Sequence, residues 1–172
     1  MKFSFVAAVV FAMVSIPALV IAQPAQPQPN GFVAFQAETE RVEAATACPT
    51  PKVTPAMMSW GPLWSCVLGS AQTAKFFING QAGQPGTQDV KVMWNEYTKN
   101  IGEGLAADRS EAQRLVSVAA DLYAPSKKAR IVEAFMGRRN TVITDGPYRL
   151  EYRYSAGPAA GEHLLTITAR AR

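Results

Sequence analysis

The sequence predicts an α+β domain, an antiparallel sheet with two or three helices packed on one of its faces. Three observations carry that reading. Tyr148, Leu150, Tyr152 and Tyr154 alternate with Arg149, Glu151, Arg153 and Ser155, the period-two pattern of a strand with one covered face. Ala112, Leu115, Val116, Ala119, Leu122 and Tyr123 recur at helical spacing and make an amphipathic helix. The elements run strand, strand, two helices, three strands, without the strand–helix alternation that builds a parallel sheet.

At the start of the chain, Lys2 precedes an uncharged apolar run over residues 5–20 that closes on Val20, Ile21 and Ala22. That is the layout of a secretory leader cut after residue 22. The run is near the shortest length that spans a bilayer. Pro17 interrupts it and no charge anchors its far side, so cleavage is expected; no cysteine follows the cut, so a lipid anchor there is not expected. Residues 23–30 (QPAQPQPN) favour an extended, unpaired backbone and read as a tether. One domain is expected over residues 31–172.

Within that domain, residues 31–47 have helix-forming composition, with Phe32, Phe35 and Val42 as the few large apolar residues. A weak helix packed on the surface is expected there. Pro49, Pro51 and Pro55 then break any regular structure. Trp60, Trp64, Val67 and Leu68 fall at helical spacing around Pro62, which predicts a short helix holding Cys66. Residues 74–78 (AKFFI) read as a strand running into a turn at Asn79 and Gly80. Residues 80–88 are a loop rich in Gly, Gln and Pro. Val90, Val92 and Trp94 then share one face of a strand, with Lys91, Met93 and Asn95 on the other.

Asp108 with Glu111 three positions later reads as a capped start for the amphipathic helix of Leu115 and Ala119. Pro125 ends it. A second helix over residues 126–136 turns Ala129, Val132, Phe135 and Met136 inward and stops at Gly137. Residues 141–144 form a short strand, and Asp145, Gly146 and Pro147 turn the chain into the tyrosine strand. A last strand over residues 162–170 puts His163, Leu165, Ile167 and Ala169 on one face.

The formal net charge is +4, mild for a nucleic-acid binder, and that class is set aside. The excess is uneven: residues 126–172 hold 9 basic against 4 acidic residues, and residues 23–125 hold 7 against 9. Cys48 and Cys66 are the only cysteines. In an exported chain they are expected to pair, a bond worth about 3 kcal/mol for a loop of this length. Two cysteines and one distant His163 are too few for a metal site. No cofactor is expected: Gly102, Gly104 and Ala107 fit a dinucleotide fingerprint, but the helix start falls after the motif and no further βαβ units come after it.

His163, the only histidine, has no G-x-S-x-G elbow to serve and points with Leu165 and Ile167, so a buried structural role is expected. Glu96 and Glu103, near Trp94 and Tyr97, are the weaker catalytic candidates, for sugar hydrolysis by paired carboxylates. Trp94 is expected to fill the core, leaving Asn95, Tyr97 and Lys99 as surface contacts. Lys127, Lys128, Arg130, Arg138 and Arg139 gather around the second helix and suit an anionic sugar, a lipid headgroup or an acidic protein.

These residues support two expected functions. The first is a non-enzymatic binding module of the periplasm or cell exterior, meeting an anionic envelope component or acidic protein through its basic face. The second is a small envelope hydrolase acting on a sugar or ester bond through Glu96, Glu103 or His163.

Overall fold

A pleated backbone sends successive side chains to opposite faces, so a strand with one covered face buries every second residue. The computed structural model describes residues 31–99 and 104–170. The expected leader and tether, together with Gly102 and Glu103, lie outside the described residues. In chain order the elements are α1 (Phe35–Thr46), β1 (Lys52–Thr54), β2 (Leu63–Leu68), β3 (Ala74–Gly80), β4 (Thr87–Tyr97), α2 (Arg109–Tyr123), α3 (Lys128–Met136), β5 (Thr141–Asp145), β6 (Tyr148–Ala156) and β7 (Ala160–Ala169). A 3-10 turn (Pro125–Lys127) joins α2 to α3.

The seven strands form one sheet in the order β1-β2-β3-β4-β7-β6-β5, antiparallel at every pairing. Strand register lines up the buried residues in rows across it. One row is Trp64, Ile78, Val90, Ile167, Leu150 and Ile143; the next is Cys66, Phe76, Val92, Leu165 and Tyr152. A third, nearer one end of the sheet, is Leu68, Ala74, Trp94, His163 and Tyr154. All three helices cover this face: α1 lies over β3, α2 over β3 and β4, and α3 over β6. The core they close includes Val42, Leu115, Val116, Tyr123, Ile131 and Phe135. Among the described residues, no helix is long and apolar enough to cross a membrane.

The α+β class, the helix pair and the last three strands stand as the sequence predicts. Five local expectations do not. Strand β1 (Lys52–Thr54) pairs with β2 between Pro51 and Pro55, where the prolines were expected to break any regular structure. The short helix expected around Cys66 is strand β2, because Trp64, Cys66 and Leu68 alternate with the more open Leu63, Ser65 and Val67. Trp60 belongs to no strand and is exposed, so the helical spacing it suggested is a coincidence. Helix α1 is more than a surface helix. Its Glu38, Val42 and Thr46 are fully buried, and the bonded Cys48 and Cys66 tie its end to β2.

The covered face of α3 is Ile131, Ala134 and Phe135, while Ala129 and Met136 are exposed. Phe135 fixes that rotation by packing against Trp94, Tyr152 and His163. Asp108, finally, does not cap α2 with its side chain. Its backbone is left-handed, φ +58°, and a capping residue is normally extended. Its carboxylate instead accepts from the Thr73 N–H and hydroxyl, each at 3.0 Å, and from the Ala71 N–H at 3.3 Å. That latch holds the β2–β3 turn against α2. Gly69 makes room for it, since a Cβ there would stand 2.0 Å from the Asp108 carboxyl carbon.

Candidate functional site

Glu96 follows Val90, Val92 and Trp94 at the same parity, so β4 carries it to the covered face. A buried carboxylate must find cations and hydrogen-bond donors or lose its charge. Glu96 is 2% exposed and finds three. The Arg109 guanidinium, on the first residue of α2, donates to Oε1 at 2.7 Å. Arg138, just past the end of α3, donates to Oε2 through Nε at 3.0 Å and Nη2 at 2.8 Å. His163 Nε2 lies 3.0 Å from the same oxygen. One carboxylate thereby ties the start of α2, the exit of α3 and strands β4 and β7 together.

The proton positions follow from charge. Burial alone would raise the Glu96 pKa; hydrogen bonds from Arg138, His163 and Arg109 overcome it and hold the carboxyl at about 2. An ionised carboxylate only accepts, so His163 Nε2 carries the hydrogen. Burial lowers the His163 pKa against the opposing pull of Glu96, which favours the neutral ring. Its Nδ1 then accepts from the Tyr152 hydroxyl at 2.9 Å. Burial raises the Tyr152 pKa, so that phenol stays protonated.

Aromatic rings enclose the imidazole. Trp94, Phe135 and Tyr154 have ring centroids 4.5, 4.8 and 4.9 Å from it. Arg109 and Arg138 lie over the Trp94 and Tyr154 rings, and the Trp94 indole N–H donates to the Ala107 carbonyl at 2.9 Å. Every polar side-chain atom of Glu96 and His163 has a partner inside the protein. The arrangement is a clasp whose carboxylate and imidazole are buried and fully partnered. No family model, curated protein or solved structure matches this chain.

A second buried carboxylate, Glu38, lies on the same side of the sheet. It accepts from the Tyr123 hydroxyl at 2.5 Å, from the Val33 N–H at 3.2 Å and from Arg41. Among the described residues no group of three or more His, Cys, Asp or Glu is placed to hold a metal ion.

The surface residues singled out in the sequence do not converge. Asn95 and Tyr97 alternate with Trp94 and Glu96 and so lie on the uncovered face, whereas α3 lies on the covered one. On that uncovered face Glu151 pairs with both Arg149 and Arg153. Around α3, Arg138 holds Glu96, Arg139 pairs with Glu133, and Lys128 pairs with Asp121. Lys127 and Arg130 are exposed, and no ion pair among the described residues uses them. Beside them, Ser117, Pro125, Ala129, Val132 and Lys128 line an open groove of about 620 Å³ between α2 and α3.

Arg109 and Tyr152 complete the clasp without having been singled out as site residues. One signal for them was present. Glu96 has the parity of Val90, Val92 and Trp94, and a carboxylate at a buried position demands cations nearby.

Proposed function

We propose that this protein is a non-enzymatic binding module of the cell envelope, and that it meets an anionic or acidic partner at the first turn of α3. One observation carries the reading: Lys127 and Arg130 are exposed, without an acidic partner among the described residues, at the positive end of a helix dipole. Helix α3 has no acidic residue in its first turn. Cations there are unfavourable for the helix by a few tenths of a kcal/mol each, the reverse of the usual arrangement. The Asp145 carboxylate already accepts from the Ser126 N–H and hydroxyl at 3.1 and 2.9 Å beside this turn, and an incoming anion would meet Lys127 and Arg130, which Asp145 does not pair. The groove beside this turn offers apolar floor next to the charge. The disulfide fits an oxidising compartment.

The hydrolase reading retains one supporting observation, the hydrogen-bonded chain from Tyr152 through His163 to Glu96. Against it, the Glu96 carboxyl at about 2 is a poor general acid or base at neutral pH, and both Glu96 and His163 are 2% exposed. Capture from envelope extract at low salt separates the two. The wild type should retain a partner that Lys127→Glu with Arg130→Glu loses. Identical capture by both would count against the basic turn, and sugar or ester hydrolysis abolished by Glu96→Gln or His163→Ala would favour the enzyme.

A further inference from the structure

We propose that the turn between β1 and β2 is a bilayer-docking tip, whose Met58 and Trp60 side chains enter the interfacial layer of an anionic lipid membrane. This inference is independent of the α3 reading. Residues 55–62 (PAMMSWGP) carry no charge. Met57 and Trp60 bridge the turn by N–H···O contacts of 3.1 and 2.8 Å, leaving Met58 and Ser59 at its apex. Met58 is fully exposed and Trp60 is 76% exposed.

The backbone makes that exposure informative. Met58 has φ +48°, a left-handed conformation that glycine or asparagine adopts with less strain. A methionine there buries nothing, so its side chain has no value to the fold. The turn is also held firmly. The disulfide between Cys48 and Cys66 closes the loop that carries it. At its base Gly61 lies so near Gly80 that a Cβ would stand 1.9 Å from the Gly80 carbonyl oxygen, and the Gly80 N–H donates to the Pro62 carbonyl at 2.7 Å. A tip ordered before contact loses little entropy on contact.

Several features choose a bilayer as the occupant. A few convex side chains fall far below the ~800 Å² per partner of a stable protein interface. Interfacial insertion needs only apolar area and attraction to headgroups, and tryptophan favours that layer. Strand register puts residues 80–88, also uncharged, at the same end of the sheet. The described chain begins at that end too, where the Tyr148 hydroxyl donates to the Gly31 carbonyl at 2.5 Å. Lys52, in β1 below the turn, is exposed and enters no ion pair among the described residues, which suits an anionic surface.

The protein carries its own reporter. Of its three tryptophans, Trp64 and Trp94 are buried and Trp60 is exposed. The exported protein, with its disulfide formed, is mixed with vesicles of phosphatidylcholine and phosphatidylglycerol, with and without brominated acyl chains. Trp60 emission should shift to the blue and be quenched by the brominated lipid. Met58→Ser should weaken partitioning about tenfold with unchanged thermal stability, and Lys127→Glu with Arg130→Glu should leave the quenching in place. The inference is overturned by unquenched Trp60 emission, or by vesicle binding that persists unweakened in Met58→Ser with Trp60→Ser. Vesicle binding lost in the α3 variant but kept in the tip variant would overturn it as well.

Discussion

Replacing Glu96 by Gln removes one buried charge while keeping the side chain's size. The Glu96 carboxyl titrates at about 2 in the folded protein against an ordinary 4.5. At about 1.36 kcal/mol per pH unit of that difference, its ionisation contributes about 3 kcal/mol at neutral pH. Because the folded pKa is the lower one, this stability is fully present above pH 4.5 and drains away as pH falls toward 2. Glu96→Gln should therefore be less stable by about 3 kcal/mol at pH 7, near 10 °C in midpoint for a domain of this size. The gap should shrink to about 1 kcal/mol at pH 3 and close further below it. Urea unfolding of both proteins at a series of pH values, with slopes compared to confirm a common unfolded state, measures it. A constant gap from pH 7 to pH 3 would refute the ionised, arginine-clamped carboxylate.

The same contacts support further expectations. His163→Phe should flatten the decline in stability below about pH 6.5, because a folded pKa lowered by burial makes the wild type lose stability as pH falls through the unfolded value; acid titration of the midpoint checks this. Asp108→Ala should cost about 2 kcal/mol by orphaning the Thr73 N–H, while the Thr73 hydroxyl keeps the Ala107 carbonyl as acceptor, and should speed amide exchange in the β2–β3 turn. Asp108→Asn should cost less. Reducing the disulfide should lower stability by about 3 kcal/mol, read as the difference between urea midpoints with and without reductant.

The sheet was legible wherever alternation was strict. The tyrosine strand and the strand of Val90, Val92 and Trp94 declare their faces, and the stripe from Ala112 to Tyr123 declares α2. Strand β2 was hidden because Trp60, Trp64 and Leu68 also satisfy helical spacing, and a run of six residues is too short for periodicity to arbitrate. Asp108 misled because the cap pattern does not reveal backbone hand: at φ +58° the carboxylate turns from its own helix to the β2–β3 turn. Parity foretold the burial of His163. It could not foretell that Arg109 and Arg138, far apart in sequence, would meet on Glu96, because their meeting depends on how α2 and α3 dock. The charge asymmetry pointed to the α3 region, but only three-dimensional pairing separates Lys127 and Arg130 from the neighbours already engaged.

The most direct test of the binding account is amide chemical-shift mapping of the protein titrated with the partner it captures. The account predicts that perturbations centre on residues 126–131 and the adjoining groove, and weaken as salt is raised. Perturbations confined to the uncovered sheet face around Lys75, Phe77 and Met93, with the first turn of α3 silent, would contradict it.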